Sequence, residues 1–343
     1  MSSIISFTLK IIGILIGIYI LYLVRDFVVF LILGFILASA LKPTIDSLEK
    51  KKIPRVISAL FIFLLIFFLI SSVFYLVFPP LFREIQDFII NFPQKERFLE
   101  WFPQVNEWVK ELKRIELDKG FSFDVFKDLQ SFLGSISQIV FSFLDILYKI
   151  FRNIINFIFI FIVAFYLIIE KRIGEKIANF LFSNTKSKEK FLKYWQISEK
   201  ISGRWLSSYV ILGFIIGILV FISLSLLRVE YKLTLAVLAG FLEIVPWLGP
   251  ILSGVAGFSF AFIQEGLGLA LWTIFAFFII QQLENYLIVP FIMRKRINLN
   301  PLLSIIALFV GGRLMGILGM ILAIPLTTIS LIIWKEEMID KRK

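Results

Sequence analysis

Two carboxylates interrupt stretches that are otherwise almost free of charge. Glu243 lies in Gly240-Phe-Leu-Glu-Ile-Val245, and Glu284 lies in Gln281-Gln-Leu-Glu-Asn285, a polar cluster at the end of another apolar run. A charge at the centre of a bilayer costs about 3 kcal/mol on insertion scales, so such a residue faces a water-filled cavity or a partner. Three chemistries fit: binding a cation, taking up a proton, or neutralising a basic residue. Arg313 is the candidate partner for the third. The amides of Gln281, Gln282 and Asn285 stand on or near the same face, where they either hydrogen-bond a polar solute or tie helices together. The chain has no His and no Cys, which leaves proton chemistry to Asp, Glu, Lys, Arg and Tyr. The same absence removes imidazole and thiolate metal sites.

Glycine and proline break the two apolar segments that flank these groups. The first break carries Pro246, Gly249 and Pro250; the second carries Gly311, Gly312, Gly316 and Gly319, with Pro325 beyond it. Proline lacks the N–H that a helix needs, and glycine permits backbone geometry other residues resist. A helix opened inside a bilayer frees carbonyls that need a neighbouring helix, water or a solute. Interrupted segments beside ionisable residues are the pattern of a transport site, and a purely structural kink is the competing explanation.

Composition sets the class. The chain has 343 residues, 59% of them hydrophobic, with 40 Phe and a mean hydropathy of +0.91. Soluble domains hold about half apolar residues at most. Several nearly uncharged runs approach 20 residues, enough for a helix to cross a hydrocarbon core about 30 Å thick. The expected fold class is an all-α polytopic membrane protein of about eight transmembrane helices, two of them broken near the C-terminus, with an extracytoplasmic amphipathic helical insertion. The net charge of +11 fits basic cytoplasmic loops facing anionic lipid rather than nucleic acid.

Residues 1–80 hold the first three spans: Ile4–Val24, Phe27–Leu41 ending at Lys42-Pro43, and Val56–Phe78 closed by Pro79-Pro80. The first run reads as a membrane helix rather than a leader, since it carries Lys10 and leads straight into the second. Gly13 and Gly17 have the spacing of a helix contact. The loop after the second span has five basic residues against two acidic ones, which makes it cytoplasmic and places the N-terminus on the same side. Residues 81–148 form the insertion, with eleven acidic residues against eight basic ones and apolar stripes at helical spacing. Residues 149–169 hold the fourth span.

Residues 170–204 form a basic helical loop, nine positive charges against four, with a helix break at Ser183-Asn-Thr185 and an amphipathic helix on the inner leaflet leading to Trp205. Residues 205–334 hold spans five to eight, with Gly213 and Gly217 spaced for close packing and Asn300-Pro301 as a capped helix start. Residues 335–343 are a charged tail. Strict alternation of crossings puts Arg294-Lys-Arg296 outside, against the positive-inside rule; a re-entrant hairpin in one broken unit would correct that loop but put the tail outside.

No nucleotide-binding GxxxxGK[ST], HExxH or GxSxG is present. The chain reads as no enzyme, with no cofactor and no metal site. At Glu243-Ile-Val-Pro-Trp-Leu-Gly-Pro250 the sequence resembles the "IPYxGP" signature of the autoinducer-2 exporter family, the PerM-like permeases. Gln282-Leu-Glu-Asn285, Pro290, Leu299-Asn-Pro301, Gly311-Gly-Arg-Leu-Met-Gly316, Gly319 and Ala323-Ile-Pro325 follow in that family's order, and Ala38-Ser-Ala-Leu-Lys-Pro43 fits its early "AxxLxP" region. The resemblance implies eight membrane helices, the large insertion, a homo-oligomer such as a pentamer, and export of a small polar solute of the autoinducer-2 kind across the cytoplasmic (inner) membrane. Similar proteins exchange sodium or lithium for protons, so H+ or Na+ is a second expected partner. A passive oligomeric channel and a membrane scaffold are the other readings. Trp247 replaces the family's usual Tyr, and Asn300 stands where His is common, removing a titratable group.

Overall fold

The computed structural model describes residues 19, 23–90, 154–245, 248–292 and 300–340. These are helical nearly throughout, and the helices are numbered here in chain order: α1 (Arg25–Lys50), α2 (Arg55–Ile90), α3 (Ile154–Ile169), α4 (Ile173–Leu181), α5 (Thr185–Leu226), α6 (Lys232–Leu242), α7 (Leu248–Glu265), α8 (Leu267–Leu283), a π-helical turn (Glu284–Ile288), α9 (Val289–Ile292) and α10 (Pro301–Asp340). Among the described residues five helices are long and apolar enough to cross a membrane, and three shorter apolar ones accompany them. The first expected span with Gly13 and Gly17, and the insertion beyond Ile90, lie outside the described residues. So do Pro246, Trp247 and Arg294 to Arg296.

The helices form two compact units, and α2 and α5 each contribute to both. In the first unit α1 packs along α3. A Cβ on Gly34 would stand 2.6 Å from the Val163 side chain, and the Phe27 and Phe159 rings lie 5.1 Å apart. Phe63 of α2 meets Phe161 edge-on at 5.2 Å.

Two helix ends expected at prolines do not occur there. Helix α1 continues through Pro43 to Lys50, and α2 continues through Pro79-Pro80 to Ile90. Proline's φ near −65° is itself helical, so what it removes is one hydrogen bond to the carbonyl four residues back. For Pro43 that carbonyl belongs to Ser39, and Gly203 of α5 lies against it so closely that a Cβ there would overlap the oxygen. The approach allows a weak Cα–H···O contact in place of the missing N–H.

The amphipathic stretch before Trp205 is also not a separate helix on the leaflet. It is the first half of α5, 42 residues and about 63 Å long. The break at Ser183-Asn-Thr185 is where the sequence puts it, and the Asn184 side chain accepts the Lys186 N–H at 2.9 Å.

At the basic end of this unit Arg55 is buried. Its guanidinium donates to the Ile168 carbonyl at 2.7 Å, to Asp46 at 2.5 Å and to Glu49 at 2.8 Å. It thereby joins the end of α1, the start of α2 and the last turn of α3. Arg55→Ala leaves all three acceptors short of a donor. The expected loss is about 2–3 kcal/mol, below the 3–5 kcal/mol of a fully buried pair because Asp46 and Glu49 are partly exposed. A lowered thermal midpoint in detergent would register it.

Both interrupted segments turn back on themselves. Helix α10 loses helical geometry at Met315 and Gly316, where Gly316 has φ 61° and ψ −142°. Its two arms then run side by side: the backbones of Gly311 and Gly319 touch, and Met320 packs on Gly312. Pro301 begins the first arm with the Asn300 side chain accepting the Leu302 N–H at 3.0 Å, the cap that the sequence predicts. Pro325 is fully buried in the second arm. A Cβ added at Gly316 would meet nothing within 4 Å, so Gly316→Ala isolates the backbone cost, about 1–3 kcal/mol for a conformation restricted to glycine. A thermal midpoint lowered without any change in helical content is the expected result.

In the second unit α6 and α7 form the other hairpin. Gln264 near the end of α7 accepts the Glu230 N–H at 2.8 Å and donates to the Arg228 carbonyl at 3.0 Å. The Tyr231 and Phe260 rings lie 5.9 Å apart. The chain therefore enters α6 and leaves α7 at the same end. Eleven residues give α6 a length of about 16 Å, half the hydrocarbon thickness.

Candidate functional site

The site is built at the tip of the α6–α7 hairpin, where α5 and the end of α8 meet it. Gly213 and Gly217 of α5 face Ala236 and Gly240 of α6, backbone against backbone. A Cβ on Gly240 would stand 2.5 Å from the Gly213 carbonyl oxygen, so neither position has room for a side chain. This contact brings Glu243, one turn beyond Gly240, to the face of α5. The chain turns directly after it: the Val245 N–H reaches the Leu242 carbonyl at 3.1 Å, and Gly249 lies against the Leu242 backbone. Pro250 follows in the first turn of α7, where its missing N–H is not needed.

Glu284 comes from the opposite direction. It is the first residue of a π-helical turn whose closing bond runs from the Val289 N–H to the Glu284 carbonyl. Pro290 supplies a physical reason, since its ring crowds the carbonyl four residues back and cannot bond it. Widening the preceding turn relieves the clash, and such π turns are frequent at functional sites.

The two carboxyls are neighbours within hydrogen-bonding reach. Glu243 is 2% exposed and Glu284 7%. Gln281 donates its amide to Glu284 at 2.9 Å. Oε2 of Glu243 is buried and receives no hydrogen bond among the described residues. Neither carboxyl makes an ion pair there. Tyr209 of α5 stands within electrostatic reach of both. Its spacing of four from Gly213 puts it on the face that meets α6, a signal that the sequence carries but that charge and helix breaks do not reveal.

The remaining sequence candidates are distributed differently. Gln282 is half-buried and Asn285 is exposed; no hydrogen bond ties either to Glu284 among the described residues. Arg313 belongs to the first unit, on the first arm of α10, and is exposed. Gly311, Gly312, Gly316 and Gly319 shape the α10 hairpin, as Gly249 and Pro250 shape the other. Pro246 lies outside the described residues. No group of His, Cys, Asp or Glu suited to a metal ion occurs among them.

Long apolar helices define a polytopic membrane protein. The family model of the AI-2E family transporters matches residues 11–337, and the chain belongs to that family. It is 26% identical to YueF of Bacillus subtilis (strain 168), which is named as a transport protein, over 94% of this chain and 90% of that one. YrrI of the same organism, named likewise, is 24% identical over 87% of this chain and 83% of its own length. PerM of Escherichia coli (strain K12), named as a permease, is 33% identical over 39% of this chain and 37% of its own length.

Proposed function

We propose that this protein is a secondary transporter in which Glu243 and Glu284 take up one proton or monovalent cation as part of the transport cycle. The observation that carries the reading is the buried Oε2 of Glu243, set beside a second carboxyl and given no donor among the described residues. Two such groups in an apolar setting need one positive charge between them, and a deeply buried structural pair would instead be matched by a basic residue. The family's name supports a small polar solute of the autoinducer-2 kind as cargo; export across the cytoplasmic membrane by a homo-oligomer is what the sequence resemblance implies. The acidic pair itself favours a second reading, exchange of Na+ or Li+ for protons.

The two hairpins support one sidedness. Each returns to the side it left, so six crossings, by the expected first span and by α1, α2, α3, α5 and α8, would leave Arg294-Lys-Arg296 and the charged tail both in the cytoplasm with the N-terminus. That arrangement satisfies the positive-inside rule at every basic loop, which strict alternation does not. The ion pairs of Lys190 with Glu337 and of Lys193 with Glu336 at 2.7 Å support a common side for the tail and the basic loop.

Vesicles loaded with autoinducer-2 and carrying the purified protein separate the two readings. Solute release that speeds up under an imposed pH gradient supports the exporter. Proton movement on adding Na+ or Li+, with the solute retained, supports the exchanger. Release proportional to concentration and indifferent to every gradient would leave a passive channel.

A further inference from the structure

We propose that the basic end of the first unit holds a binding site for an anionic phospholipid. A cavity of about 220 Å3 opens between α1, the end of α3, the start of α4 and the first half of α5. Its lining changes character along α1. Phe35 lies at one end and Lys42, two turns further, at the other; Leu167 and Trp195 continue the apolar part, while Lys171 and Arg172 join the basic part. A polar cavity with one apolar wall, of Phe35, Leu167 and Trp195, beside a cluster of cations is shaped for a molecule with a chain and a charged head.

The depth agrees. Helix α3 is an apolar span that stops at Ile169, and Lys171 and Arg172 follow within three residues. The cations therefore stand at headgroup level. Helix α4, nine residues long, leaves Phe180 89% and Leu181 55% exposed, as an interfacial helix does when its apolar side enters the lipid.

The cations of the lining point to the class of ligand. Three cations face two carboxylates, Glu175 and Glu199. Lys42 is paired with Glu199, and Lys171 with Glu49 at 2.7 Å outside the cavity. Arg172 has only a marginal contact with Glu175, at 4.0 Å. Arg172 is therefore the cation least held by a carboxylate, and the one open to a phosphodiester bearing one negative charge. A guanidinium is well suited to phosphate oxygens. Phosphatidylglycerol has this chemistry, and phosphatidylcholine, with the same chains and no net charge, does not.

The test is native mass spectrometry of the full-length protein in detergent, titrated with either lipid. Phosphatidylglycerol should be retained in preference to phosphatidylcholine. Lys171→Gln with Arg172→Gln, both exposed and so tolerant of change, should weaken its retention by about fivefold per cation removed. Lys186→Gln with Lys200→Gln, elsewhere on the same basic loop, should leave retention unchanged. Phosphatidylglycerol with brominated chains should quench wild-type fluorescence more than that of Trp195→Phe. Equal retention of the two lipids, an equal loss in the control pair, no Trp195-dependent quenching, or full displacement by soluble glycerol 3-phosphate would each overturn the proposal.

Discussion

Glu243→Gln and Glu284→Gln should each stop coupled transport while leaving the protein at least as stable as before. The two effects have one origin. Each substitution keeps the shape of the side chain and removes one of two acidic groups packed together at 2% and 7% exposure. The folded state then no longer holds two like groups that compete for one positive charge, a relief of up to about 2 kcal/mol. The bound proton or cation loses one charged contact, about 1.5–3 kcal/mol, which is about 10- to 150-fold in affinity. Thermal unfolding in detergent and cation-dependent flux in vesicles measure the two sides. A residue kept only for the fold would show the reverse: a lowered midpoint and flux reduced only in proportion to the protein lost.

The second large effect belongs to the glycine contact beneath the site. Gly213→Val places a side chain where the Gly240 carbonyl now lies, with Glu243 Cβ 3.7 Å from the first added carbon. Backbone cannot rotate away as a side chain can, so α5 and α6 must separate. Overpacking of this kind costs about 1–3 kcal/mol, and here it also withdraws Glu243 from Glu284. Transport should fall as in Glu243→Gln, but with a lower thermal midpoint. Gly217→Ala is milder, since the nearest oxygen is 3.2 Å from a Cβ there, and should retain most of the activity. Equal, small effects from both variants would mean that the contact does not position the pair.

The sequence makes some of this legible and hides the rest for identifiable reasons. Membrane class follows from composition, and the positions of the breaks follow from Pro250, Gly249 and Gly316, because those residues disturb a helix through local geometry. The direction of the chain after each break does not. It is set by contacts such as Gly311 on Gly319 and Gln264 on Arg228, which depend on how the arms pack. Hydropathy cannot distinguish a kinked span from a hairpin of equal length. That limit produces the conflict over Arg294-Lys-Arg296.

Glu243 and Glu284 are conspicuous singly, but 41 positions separate them, and no periodicity places them side by side. The π turn at Glu284 is foreshadowed only by Pro290. Arg55, in the sequence one charge of a cytoplasmic loop, is buried and ties three helices together. Charge counting finds the side of a loop and carries no information on which of its residues turns inward.

The most direct test of the acidic pair is flux in proteoliposomes under an imposed pH gradient, with wild type, Glu243→Gln, Glu284→Gln and the double variant measured in parallel. The pair acts as one site, so each single variant should lose the gradient dependence as completely as the double variant does. Gradient-dependent flux that survives in both single variants at the wild-type rate would contradict the assignment and leave the two glutamates as part of the fold alone.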